Sequence, residues 1–95
     1  MRIPIHPGEI LADELESREL SASQLAQALH VPANRITQII KRQRGITADT
    51  ALRLGRFFGT SAEFWSNLQM MYELDLAVKD SGKDIESIKP LEMVA

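Results

Sequence analysis

Apolar residues recur at three- and four-residue spacing along almost the whole chain, and no segment alternates in the manner of a strand, so the pattern predicts an all-α protein. Pro7 and Gly8 open a first helix that turns Ile10, Leu11 and Leu15 inward, since a proline in the first turn gives up an N–H that has no helical partner anyway. Ser21 is placed to cap a short second helix carrying Leu25, Ala26 and Leu29. The chain turns at His30-Val31-Pro32, and Pro32 admits only a helix start, so a third helix with Ile36, Ile39 and Ile40 follows and breaks at Gly45. Thr47 caps a fourth helix (Ala51, Leu52, Leu54, Phe58) that stops at Gly59. Thr60 or Ser61 caps a fifth, expected to run for about 18 residues to Val78. The pair Ser81-Gly82 reads as its terminus, and Ile85, Ile88, Leu91 and Val94 suggest a weakly structured tail that docks loosely. The expected division is therefore a helical domain over 1–78 and a tail over 79–95.

Helices two and three, roughly residues 20 to 44, have the dimensions of a helix-turn-helix: a short helix, a tight turn, and a second helix slender enough for the major groove. At 100° per residue Ile36, Ile39 and Ile40 fall in one sector of the third helix, and Asn34, Gln38 and Lys41 lie opposite, flanked by Arg35, Thr37 and Arg42. The outward face carries no carboxylate to be repelled by phosphate. Asn34 and Gln38 stand one turn apart, and each amide matches the N6 and N7 edge of adenine. Arg35 has the chemistry for guanine or for phosphate, and both remain open. Thr37, Lys41, Arg42 and Arg44 suit backbone contacts that position without specifying, and Ser23 and Gln24 could hold phosphate from the start of helix two.

The overall balance of −2 runs against a DNA-binding role until the charges are placed along the chain. Residues 1–34 carry a balance of −3, residues 35–56 one of +5, and residues 57–95 one of −4. Positive charge is thus concentrated around the third and fourth helices. A nucleic-acid footprint and an ordinary solvated basic face both fit that segregation. At 95 residues the chain makes one small domain, and the absence of cysteine removes disulfides and thiolate chemistry. No apolar run has the length of a membrane span or a signal-peptide core, which predicts a cytoplasmic protein without membrane contact.

The stretch LSASQLAQALHVPANRITQII, from Leu20 to Ile40, resembles the Xre/Cro-type helix-turn-helix. Two further stretches, HPGEIL at 6–11 and RGITADTALRLGRFFGTSAEFWSNLQMMYEL at 44–74, make the chain similar to the HigA-type antitoxins, the VapI-like group of bacterial toxin–antitoxin operons. The resemblance implies a five-helix, lambda-repressor-like domain. It also implies a dimer that binds operator DNA, represses its own operon and neutralises a HigB-type toxin, a ribosome-dependent mRNA-cleaving ribonuclease. A stand-alone helix-turn-helix regulator is the alternative. Two positions depart from the family's pattern. His30 stands where the turn usually has a left-handed glycine, and Lys41-Arg42 replace a helix-ending Asn-Gly, which leaves either a longer third helix or a strained Arg42.

No nucleophile elbow, phosphate loop or paired carboxylate points to catalysis, and His6 and His30 lack partners at ligand spacing, so neither enzyme activity, metal nor cofactor is expected. His6 reads as a neighbour of a helix cap. Trp65 reads as core. The fifth helix is apolar around more than one stripe, with Leu68, Met71, Tyr72 and Leu76 on one side and Met70, Leu74 and Val78 reaching around it. A helix of that kind usually has a second partner, which predicts a symmetric dimer through Met70, Met71, Leu74 and Val78.

Overall fold

A computed structural model describes residues 2–94, the side chains of 93 and 94 excepted. Five α-helices follow one another: α1 (Pro7–Ser17), α2 (Ala22–Leu29), α3 (Ala33–Ile40), α4 (Ala48–Phe58) and α5 (Ala62–Glu86), then a short 3-10 helix over Leu91–Val94. Their starts follow the expected chemistry. Ser21 accepts from the Gln24 N–H while the Gln24 side chain returns to the Ser21 N–H, a complete capping box. Thr47 and Ser61 cap α4 and α5 through their hydroxyls. His6 is itself the α1 cap: its Nδ1 accepts from the Gly8 N–H at 2.9 Å. The imidazole is buried, and burial, helped by the nearby Arg42 guanidinium, holds its pKa below the usual histidine range, in keeping with a nitrogen that must stay unprotonated to accept.

Leu11 and Leu15 of α1, Leu25 and Leu29 of α2, Ile36 and Ile39 of α3, Leu54 of α4 and Trp65 of α5 form one core, joined by Ile46 from the loop. Trp65 is 1% exposed, and its indole N–H donates to Thr60 Oγ1 at 3.0 Å, so the single tryptophan is satisfied inside the protein. The crossing of α1 over α3 depends on Gly8, because a Cβ there would collide with the Ile39 carbonyl.

Four helix ends close in the same way. After α2 the Val31 N–H donates to the Ala26 carbonyl (3.0 Å) and the His30 N–H to Gln27 (3.2 Å), the double bond of a left-handed C-terminal cap. Leu20 and Glu19 repeat this after α1, and Thr60 with Gly59 closes α4 by paired bonds onto the Gly55 carbonyl. After α3, Gln43 donates to Gln38 (2.8 Å) and Arg42 to Ile39 (3.0 Å). Only the α4 cap uses glycine, Gly59 at φ 75°; Glu19, His30 and Arg42 adopt φ of 55°, 61° and 64°. The two departures from the family's pattern thus resolve: His30 takes the left-handed turn, and α3 is not lengthened, because Arg42 accepts the strain.

The fifth helix departs from expectation. It does not stop near Val78 but continues for 25 residues through Ser81-Gly82 to Glu86, about 37 Å at 1.5 Å per residue. Gly82 costs a helix only about 1 kcal/mol relative to alanine, too little to end it. Nor do Ile85, Ile88 and Leu91 dock on the body; all three are exposed, and the Val94 side chain lies outside the described residues. The projecting helix stretches the molecule to 56 × 22 × 21 Å.

A left-handed residue with a Cβ costs roughly 1–2 kcal/mol relative to glycine. His30→Gly is therefore expected to stabilise the fold by about 1 kcal/mol. The measurement is urea unfolding with unchanged slope; no gain in midpoint would show that His30 compensates its strain through contacts.

Candidate nucleic-acid interface

The apolar edge of α3 is fixed, with Ile36 and Ile39 fully buried, so its orientation about its own axis has little freedom. Asn34 and Lys41 consequently stand exposed and Gln38 half-buried along the outer face. Thr37 is half-buried beside them, and its hydroxyl lies within 3.3 Å of the Ala33 and Asn34 carbonyls, so it must rotate before it can donate outward. Arg42 and Arg44 are exposed just beyond the helix end, Arg42 with Glu9 at 3.5 Å. Ser23 and Gln24 are exposed in the first turn of α2. In the capping box Gln24 uses its carbonyl oxygen, which leaves the amide N–H groups as donors.

Arg35 is engaged within the protein. Its Nη1 donates to Asp49 Oδ2 at 2.7 Å, and the same oxygen receives Arg53 Nε at 2.9 Å. Arg53 then passes Nη1 to the Leu29 carbonyl at 2.8 Å, at the close of α2. One carboxylate on α4 thereby ties the recognition helix to the helix-turn-helix turn. The two arginines hold the Asp49 carboxyl below the ordinary carboxylate range, Arg53 foremost. The loop after α3 is secured from α5: the Ile46 N–H donates to Gln69 Oε1 at 2.8 Å, and Gln69 Nε2 to Glu73 at 2.7 Å. Asp49, Arg53 and Gln69 stand outside the residues that helical periodicity and base-reading chemistry mark. The lone acid in a run of six cations was a signal for Asp49, whereas nothing in local spacing connects Gln69 to a loop 23 residues away.

Met70, Met71, Leu74 and Val78 lie on α5, all exposed. Phe64, Met71, Val78 and Ile85 follow each other at seven-residue intervals and are 44%, 43%, 49% and 49% exposed, with Leu74 at 56% between them. A stripe of this spacing on the outer side of a projecting helix is the pattern of a helix that packs on another helix. Among the described residues no group of His, Asp and Glu is arranged to hold a metal ion, and no helix is long and apolar enough to cross a membrane.

Residues 11–65 match the family model described as helix-turn-helix. The chain is 54% identical to virulence-associated protein I of Dichelobacter nodosus over 92% of its own length and 81% of that protein's. Among solved structures, an addiction-module antidote protein of the HigA family from Coxiella burnetii is 58% identical, superposes with a TM-score of 0.88, and matches over 95% of this chain and 99% of that one. The Pseudomonas aeruginosa antitoxin HigA with the higBA promoter is 53% identical, with a TM-score of 0.88 and coverage of 94% and 99%. The family these matches define is one of helix-turn-helix DNA-binding regulators and antitoxins and is not enzymatic. The chain belongs to the Xre-type helix-turn-helix family, in its HigA antitoxin group.

Proposed function

We propose that this protein is a cytoplasmic, dimeric antitoxin that binds the operator of its own operon through α3, represses it, and neutralises a HigB-type mRNA-cleaving toxin. The observation that carries the DNA-binding part is the outer face of α3, held outward by Ile36 and Ile39 and presenting amide and cationic groups with no acid among them. Asn34 and Gln38 read base edges, with Arg35 beside them. Ser23, Gln24, Thr37, Lys41, Arg42 and Arg44 hold the phosphate backbone on either side. A relative of 53% identity described as the antitoxin HigA with the higBA promoter supports the DNA-binding reading.

If the division holds, Gln38→Ala costs about 1–3 kcal/mol on the operator and little on random duplex. Lys41→Ala or Arg44→Ala instead weakens all sequences and lowers the salt slope by about one. Anisotropy titrations across a salt series separate the two; equal losses on both duplexes for Gln38→Ala would remove it from the base readers.

The dimer is formed by the α5 stripe, including Met70, Met71, Leu74 and Val78. Two-fold pairing brings two recognition helices to half-sites about 34 Å, or a multiple, apart. Met71→Glu or Leu74→Glu would bury an unpaired charge there and shift the protein toward monomer. Light scattering that finds both variants dimeric would move the interface elsewhere.

The toxin must approach ribosomes and RNA and is therefore expected to be basic, which suits the acidic segments before residue 35 and after residue 56. An upstream reading frame that encodes a small basic protein, toxic alone, rescued by this chain and retained on a tagged copy of it, is the expected outcome of co-expression. A neighbour that is neither toxic nor retained would favour the stand-alone regulator.

A further inference from the structure

Asp49 is the only acid between residues 35 and 56, and it stands among six cations. A carboxylate near a phosphate-binding surface should weaken binding, so its presence there asks for a compensating role. Its surroundings suggest one. A single oxygen, Oδ2, receives Arg35 at 2.7 Å and Arg53 at 2.9 Å. Arg53 is tied on its far side to the Leu29 carbonyl, so the Asp49–Arg53 pair is anchored to backbone and does not float as a surface ion pair does. Arg35, 28% exposed, spends one N–H on this anchor, and its other guanidinium N–H groups remain as donors. Beside the three groups lies a notch of about 300 Å³ between α3 and the start of α4, lined by Arg35, Arg44, Thr47, Asp49 and Thr50.

We propose that Asp49 is a specificity-determining residue, a carboxylate that holds Arg35 in one placement against α4 and at the same time subtracts positive charge from the surface that would otherwise hold any DNA. Both effects act in one direction. One fixed placement of the guanidinium favours a duplex whose shape and base edges meet it and spares the ordering of a long side chain on binding. Charge subtraction lowers the sequence-independent attraction to phosphate, which sets the level of non-specific binding. The ratio of specific to random binding gains from each, even though absolute affinity for random DNA falls.

This inference rests on the DNA-binding reading, and the experiment separates the two. The probes are the promoter fragment of the operon that contains the gene for this chain and a scrambled duplex of equal length and composition, titrated by anisotropy over a salt series. A wild-type protein that does not distinguish the probes sinks both readings. Given that preference, Asp49→Asn is expected to bind the scrambled duplex about three- to tenfold more tightly at moderate salt, with a salt slope steeper by about one. Its operator-to-scrambled ratio falls correspondingly. The double variant Asp49→Asn/Arg35→Gln is expected to return the slope to the wild-type value, because the freed cation is gone. Arg53→Gln serves as the structural control: it breaks the bond to the Leu29 carbonyl and leaves Arg35 on Asp49, so it should lower thermal stability without steepening the slope. The proposal is overturned if Asp49→Asn leaves slope and ratio unchanged. It is equally overturned if Asp49→Asn and Arg53→Gln weaken both probes alike, which would make Asp49 a support for the turn and nothing more.

Discussion

Ile39 lies where the protein has least freedom. Its side chain is fully buried, and its carbonyl both receives the Arg42 N–H that ends α3 and presses so closely on α1 that residue 8 has no room for a Cβ. The same α1 turn is held by His6, whose ring accepts the Gly8 N–H and packs edge-on to Tyr72 of α5 at 4.9 Å. Packed interiors deform little, so a helix fixed at this point cannot roll about its axis to relieve strain elsewhere. The outward direction of Asn34, Gln38 and Lys41 is a consequence of this packing. Directly after this point the backbone of Arg42 leaves the helix at a left-handed φ that costs energy.

Charge in the middle of the chain is less available than its sum suggests. Arg35 and Arg53 share Asp49, and Arg42 has Glu9 at 3.5 Å, so among the described residues Lys41, Arg44 and Arg56 are the cations of this segment outside an ion pair. The pairs are partly exposed and add little to stability one by one. Their effect is on geometry: each holds a long side chain in one place near a surface that must meet a regular polyanion.

Local chemistry carried most of the fold. Ser21, Thr47 and Ser61 cap where spacing placed them, and Trp65 is buried as a small core requires. The helix-turn-helix is legible in the Ser21 cap and the His30-Val31-Pro32 turn, and its outward face in the isoleucine sector. What escaped was of two kinds. The end of α5 is the first: Ser81-Gly82 has the composition of a stop signal, but the seven-residue repeat of Phe64, Met71, Val78 and Ile85 runs straight through it. The contacts of Asp49 and Gln69 join residues 14 and 23 positions apart, and no local period encodes which of several polar groups will meet across two helices.

The stripe on α5 also bears on how the proposed dimer and its DNA complex respond to salt. Between Ala62 and Glu86 the helix carries six acids, Glu63, Glu73, Asp75, Asp80, Asp84 and Glu86, against Lys79 and Lys83. Two such helices side by side repel, so their pairing must be driven by the apolar repeat, which salt does not weaken, and screening removes the repulsion. Binding of the basic face to DNA has the opposite dependence, since each phosphate contact releases a counterion. The protein thus divides two electrostatic demands between two ends of one elongated body. In the proposed dimer the acidic helix would tighten its pairing as ionic strength rises, while α3 and the loop after it would loosen from the duplex. A salt slope measured at protein concentrations where the dimer dissociates would mix the two and understate the number of phosphate contacts, because low salt would favour DNA binding while opposing the dimer that performs it.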